Sequence, residues 1–232
     1  MKLGFIPFFI IFVIGCGTNS TSNKKSISSL DTFSDSSNYA LGADLGTNLK
    51  DQKVELDYDV FMAGLMDGYE MGDPQLNQND RRIVMKKLQK TIREKAKHVA
   101  ESSLKEADEF LKNNKENNPD VKETPTGLQY KVLIEGNGDS PNETDKVRVH
   151  YSGRLIDGSQ FDSSIERGAP SEFGLNQVIK GWTEGLQLMN VGSKFEFYIH
   201  PKIGYGSRPR PKIPANSLLI FEVELLDIVT NK

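Results

Sequence analysis

The apolar and polar residues of this chain change their pattern several times. Leu3 to Ile14 is an almost unbroken apolar run. Gly17 to about Ser37 is rich in Ser, Thr, Asn and Lys. Helical spacing follows. Tyr39, Leu41, Leu45 and Leu49 fit one helix capped by Asp35 or Ser36. Val60, Phe61, Leu65 and Met66 fit a second, capped by Asp57 and ending near Gly72-Asp73-Pro74. A third helix starts near Asn77, with Asp80 at its third position in a loose capping box, and runs to about Asn114, before Asn117-Asn118-Pro119. Its apolar stripe is narrow: Val84, Leu88, Ile92, Ala96, Ala100, Leu104, Ala107 and Leu111. At 1.5 Å per residue it spans about 55 Å, which predicts a solvated strut joining two bodies. The four-residue spacing does not hold a coiled-coil heptad.

After Pro119 the period drops to two. Leu128, Tyr130, Val132 and Ile134 alternate with polar residues. So do Val147, Val149 and Tyr151; Phe195, Phe197 and Ile199; and Leu219, Phe221, Val223 and Leu225. One short helix fits between about Gln177 and Met189, with Ile179, Trp182, Leu186 and Met189 facing inward. Antiparallel strands around one helix predict an α+β domain, and about 110 residues suffice for an independent core. Val149, Phe195, Phe197, Val223 and Leu225 belong to that core and not to a site.

Both early helices carry glycines four apart, Gly42 with Gly46 and Gly64 with Gly68. A helical glycine costs about 1 kcal/mol relative to alanine, so something packs closely on those faces. Spacing leaves two readings open, a tight crossing within one chain or one between two chains.

Charge and cysteine content narrow the chemistry. The formal net charge is −3, with both signs interspersed, which lacks the basic footprint of a nucleic-acid binder. Cys16 is the single cysteine, so no intramolecular disulfide forms. Three scattered histidines, His98, His150 and His200, make neither a metal site nor a Ser–His–Asp arrangement. At the N-terminus, Met1-Lys2, the short apolar run and Gly15-Cys16 form a secretory signal. That run is shorter than the roughly 20 residues of a spanning helix. Val13-Ile14-Gly15-Cys16 resembles a bacterial lipobox, which implies acylation of Cys16 and a stable lipid anchor. The polar stretch that follows reads as a flexible tether.

The densest information lies in five motifs: His150-Tyr151-Ser152-Gly153, Phe161-Asp162-Ser163-Ser164, Val178-Ile179-Lys180-Gly181-Trp182, Gly204-Tyr205-Gly206 and Leu219 to Leu226. They gather aromatic side chains with one prominent carboxylate, as an apolar cleft with few polar groups requires. In this order and spacing, from about Thr126 to Val229, they resemble the FKBP domain, the macrolide-binding class of peptidyl-prolyl isomerases. Tyr39-Ala40-Leu41-Gly42 and Phe61-Met62-Ala63-Gly64-Leu65 resemble the N-terminal dimerisation domain of Mip-like bacterial members. The resemblance implies an FKBP-like antiparallel sheet wrapped on a short helix, preceded by an all-α dimerisation domain and a long connecting helix. Its divisions are residues 1–15, signal; 16–37, tether; 38–76, dimerisation; 77–118, linker helix; and 119–232, isomerase. It also favours the interchain reading of the glycines.

The resemblance further implies roles. Trp182 is the pocket floor, with Tyr151, Phe161 and Phe221 as walls. Val178 and Ile179 line the rim, the Ile179 N–H holding a substrate carbonyl. Tyr205 offers its hydroxyl to a carbonyl, Asp162 sits beside the twisting amide with Arg167 as partner, and Ile213 closes the pocket. Without the family, Trp182 reads as core and Asp162 as a turn residue. No cofactor is implied. The expected partners are proline-containing unfolded or partly folded polypeptides, macrolide inhibitors and a second copy of the chain. The expected place is outside the cytoplasm, lipid-anchored to a bacterial membrane, the outer membrane first, facing the periplasm or the surface. Two other readings use the same cleft, a non-catalytic dimeric holdase and a surface interaction protein. Ser171, with Phe173 two residues on, stands where relatives carry an aromatic, which predicts an opened wall. The loop Ser207-Arg208-Pro209-Arg210-Pro211-Lys212-Ile213-Pro214 is basic and stiff and suggests a taste for acidic residues beside the proline.

Overall fold

The computed structural model describes residues 29–70 and 74–229. The leader, Cys16 and most of the expected tether lie outside the described residues. The chain divides into two compact units, Met1–Asn48 and Leu49–Lys232. In the first, α1 (Phe33–Asp51) begins earlier than expected and ends just inside the second. Asp35 is its third residue, not its cap. Thr32 caps it, accepting from the Asp35 N–H at 3.1 Å, while the Thr32 N–H donates to the Asp35 carboxylate at 3.3 Å. The first turn of α1 therefore occupies residues expected in the tether.

In the second unit, α2 (Tyr58–Tyr69) starts where Asp57 accepts from the Asp59 and Val60 N–H groups, both at 3.1 Å. Then α3 (Gln78–Asn117) starts at Asn77, which accepts from the Asp80 N–H at 3.0 Å. The helix outruns its expected end by three residues because Asn114 is not a terminator. It is buried, and its side chain is engaged by the sheet. Among the described residues, and apart from the local helix backbone itself, nothing lies within 4 Å of a Cβ built on Gly42, Gly46, Gly64 or Gly68. The tight crossing within one chain is thus absent among the described residues.

Among the described residues the sheet has seven strands. They are β1 (Val121–Glu123), β2 (Gln129–Ile134), β3 (Lys146–Arg154), β4 (Gln160–Ser163), β5 (Ser171–Gly174), β6 (Lys194–Ile199) and β7 (Leu219–Val229). All pairings are antiparallel, in the order β1-β2-β6-β7-β3-β4, with β5 alongside the first half of β3. Strict alternation along β3 turns Val147, Val149 and Tyr151 to one face. There they join Phe195, Phe197, Val223 and Leu225 in the main core.

The helix on that face is shorter than expected. A 3₁₀ turn (Leu175–Gln177) precedes α4 (Lys180–Leu186), and Val178 and Ile179 between them are extended. This break frees their side chains from the helix. Gly181 and Gly185 let α4 lie directly on β6: a Cβ on either would stand 2.7 Å from Ile199 or Phe197.

The opposite face corrects the strut expectation. Ala107 and Leu111 of α3 pack with Tyr198, Leu218 and Ile220 in a second core. The Asn114 amide donates to Gln129 at 3.0 Å, and Gln129 donates to the Leu111 carbonyl at 2.9 Å. Asn216 donates to the Ala100 carbonyl at 3.1 Å, and His200 Nε2 lies 3.1 Å from the Asp108 carboxylate. Only the N-terminal part of α3, with Ile83, Val84 and Met85 exposed, remains a solvated rod. No helix among the described residues is long and apolar enough to cross a membrane.

Candidate active site

A cleft of about 840 Å³ opens between α4, the ends of β3, β4 and β7, and the loop after Tyr205. Trp182, 4% exposed, lies at its base. Tyr151, Phe173 and Phe221 meet the indole edge-on, with centroids 5.2, 5.5 and 5.2 Å away. Phe161 stands edge-on to Phe221 at 5.4 Å. Perpendicular rings at these separations favour one another through their quadrupoles, so the walls hold each other upright. The buried indole N–H has no acceptor among the described residues, which leaves it the weak attraction of aromatic faces.

Gly153 explains why the third motif residue after His150 has no side chain. A Cβ there would stand 2.6 Å from Phe161 and 2.7 Å from Phe221. The two rings occupy the space above the strand because Gly153 vacates it. The turn at Ser163-Ser164 holds β4 in register. The Ser164 hydroxyl accepts from the Tyr151 N–H at 2.8 Å, and the Ser164 N–H donates to the Tyr151 carbonyl at 3.0 Å.

That turn sets Asp162 beside Tyr151. The phenol donates to the Asp162 carboxylate at 2.5 Å, and Arg167 pairs with the other carboxylate oxygen. Arg167 also donates to the Tyr151 hydroxyl at 2.9 Å and to Ser171 at 3.1 Å, with its guanidinium 5.5 Å from the Tyr151 ring centre. Burial and the neighbouring carboxylate raise the Tyr151 phenol above its ordinary value. For Asp162, burial pushes upward, but the hydrogen bonds from Tyr151 and Arg167 and the guanidinium charge outweigh it and lower the pKa. A carboxylate held this way is a poor proton acceptor near neutrality. It can only orient and polarise.

The remaining expected residues converge on the cleft. Val178, Ile179 and Ile213 line it, and the Ile179 N–H donates to no backbone carbonyl among the described residues. Tyr205 lines it between Gly204 and Gly206, and its hydroxyl has no partner among the described residues. Arg167 is the exception. It stands outside the lining and reaches the cleft only through Asp162 and Tyr151. Cys16 lies outside the described residues. Sequence reasoning named neither Phe173 nor Gln177 as lining, and it gave Arg208, Arg210 and Pro211 only as part of a basic, stiff loop. Phe173 was findable, because on β5 it shares a face with Ser171. The wall expected to be open there carries Phe173 against Trp182, and Ser171 instead accepts from Arg167. No cluster of three or more His, Cys, Asp or Glu suited to a metal occurs among the described residues.

Residues 138–226 match the family described as FKBP-type peptidyl-prolyl cis-trans isomerase. Residues 34–132 match the domain amino terminal to FKBP-type peptidyl-prolyl isomerase. The chain is 41% identical over 207 residues to the FKBP-type peptidyl-prolyl cis-trans isomerase FkpA of Aeromonas hydrophila, covering 85% of this chain and 77% of that protein. It is 36% identical over 221 residues to the outer membrane protein MIP of Legionella longbeachae, covering 93% and 94%. The crystal structure of FkpA from Escherichia coli superposes with a TM-score of 0.62 at 35% identity, covering 86% of this chain and 98% of that one.

Proposed function

Since the chain belongs to the FKBP-type peptidyl-prolyl cis-trans isomerases and is an enzyme of that class, we propose that its aromatic cleft lowers the barrier to X-Pro rotation by holding the amide in its twisted form. Rotation costs about 18–20 kcal/mol because resonance is lost at the twisted state. Uncatalysed X-Pro exchange takes tens to hundreds of seconds and can limit folding. A twisted amide is less dipolar than a planar one, so an apolar socket favours it relative to water. This is transition-state binding without a covalent bond.

In this proposal the prolyl ring rests on Trp182 between Tyr151, Phe161 and Phe221. The Ile179 N–H and the Tyr205 hydroxyl hold substrate carbonyls, while Val178 and Ile213 close the sides. Asp162 faces the rotating carbonyl, and Arg167 fixes its orientation from behind. The supporting observation is that the one carboxylate in the lining is spent on Tyr151 and Arg167, which leaves binding as the available chemistry. Macrolides that carry a proline-like ring compete for the same floor.

The substrates proposed are unfolded or partly folded polypeptides outside the cytoplasm. The Val13-Ile14-Gly15-Cys16 sequence and the likeness to a protein named for the outer membrane support a lipid-anchored, exported form. A homodimer is proposed through α1 and α2, whose Phe33, Leu41, Val60 and Tyr69 are 89%, 71%, 70% and 88% exposed in the single chain. The proposed divisions keep the earlier boundaries, except that the tether ends at about Thr32, ahead of α1. Paired clefts also add holding of chains through multivalency.

A proline-limited refolding assay tests the catalytic reading. The protein is expected to accelerate the slow phase, with loss on adding a macrolide and a drop of at least about tenfold in Phe221→Ala, a change worth about 1.4 kcal/mol of barrier. A slow phase unmoved by the wild-type protein sinks it.

A further inference from the structure

We propose that the cleft prefers prolines flanked by acidic side chains, and that Arg208 and Arg210 on its rim set this preference. The inference rests on the isomerase reading and adds a substrate class to it. Both arginines line the cleft and are exposed, and Lys212 follows two residues later. Among the described residues no carboxylate lies within ion-pair distance of any of the three. The single acidic residue in the lining, Asp162, is already paired with Arg167. The mouth of the cleft is therefore positive and uncompensated, on a chain whose formal net charge is −3.

The loop that carries these charges is held in place. Arg210 and Ile213 exchange both backbone hydrogen bonds, each 2.9 Å, around Pro211 and Lys212. Lys212 sits at φ +63, and the Asn216 N–H closes the base on the Gly206 carbonyl at 2.8 Å. Ile213 is buried, and Pro209 and Pro214 stiffen the flanks. The Arg210 guanidinium lies 5.4 Å from the centre of the Tyr205 ring, within cation–π range. A fixed cation loses little entropy on meeting a partner.

The apolar floor selects what brings the anion. A small free anion would find no use for Trp182 and its surrounding rings. A polypeptide whose proline fills the floor places its neighbours on the rim, because successive residues advance about 3.3–3.6 Å. A carboxylate within two residues of the proline then meets Arg208 or Arg210, and a lysine there meets like charge. Rim charges of this kind act mainly on association and on salt dependence.

The test uses the full-length protein and three peptides identical except for glutamate, glutamine or lysine on both sides of one proline. Exchange NMR reads isomerisation without an auxiliary protease. Glutamate peptides are expected to exceed lysine peptides by about fivefold in kcat/KM at low salt. That ratio should collapse towards one near 1 M salt, where the screening length is about 3 Å. In R208Q/R210Q it should fall to near one at any salt, and R208E/R210E should invert it. Equal rates on glutamate and lysine peptides in the wild type overturn the proposal, as does a ratio that survives in R208Q/R210Q. Absence of catalysis on all three peptides instead overturns the isomerase reading beneath it.

Discussion

Asp162 and Tyr151 are set by the fold, and Arg167 joins them through hydrogen bonds. Asp162 and Arg167 are 43% and 49% exposed, so solvent screens their ion pair and it adds little to stability. Its proposed use is orientation. The directions of the two pKa shifts set a testable pH profile. Asp162 titrates below its ordinary 3.8, so whatever it contributes is fully present above that value and is lost as pH falls through the lowered pKa. Tyr151 titrates above its ordinary 10.0, so its phenol remains a donor until well into the alkaline range. We predict a level kcat/KM between about pH 5 and 9. A catalytic limb with its midpoint between about pH 5 and 8 would show that some other group carries the reaction. Most of this trio was legible in the sequence because the motif keeps Phe161-Asp162 eleven residues from Tyr151. The reach of Arg167 to three partners was not, since it depends on where β5 brings Ser171.

Among elements, α3 carries the clearest lesson. Its apolar stripe was narrow enough to predict a solvated strut, yet the sheet covers the C-terminal end of that stripe at Ala107 and Leu111. The missing signal lay on the partner strands. Ile220 and Tyr198 fall between residues of the main core, Leu218 lies just ahead of β7, and together they make both faces of β6 and β7 apolar at one end. A period-two reading that follows one face overlooks the other. The interface also encloses Asn114 and Gln129, 7% and 1% exposed, with their amides paired. Asn114→Ala leaves the Gln129 oxygen without that partner. It is expected to cost about 1–3 kcal/mol in urea unfolding, and Gln129→Leu in the same background should recover part of the loss. Strict additivity of the two changes would exclude coupling between them.

The molecule as a whole poses the question of what meets α1 and α2. Among the described residues their glycines have open space where a tight neighbour was expected, and their large apolar side chains are exposed. The proposal of a second copy makes a direct prediction. Leu41→Lys with Met66→Lys should convert a dimer to a monomer by sedimentation, because both side chains are more than half exposed in the single chain. Isomerisation of short peptides should stay within about twofold, while acceleration of protein refolding should fall if paired clefts act together. A wild-type protein that sediments as a monomer at micromolar concentration removes the dimer.

By itself the chain determined the order of its elements, the class of its C-terminal domain and the aromatic identity of the cleft. Hydrophobic period, caps and motif spacing are local properties. Tertiary structure alone decided that Val178 and Ile179 leave the helix to face the cleft, that Phe173 fills the wall beside Ser171, and that α3 closes the back of the sheet. It also decided that two arginines stand at the rim with no carboxylate in ion-pair reach among the described residues. Those outcomes depend on which strands become neighbours, and such pairings join residues far apart in the chain through contacts that no local pattern encodes.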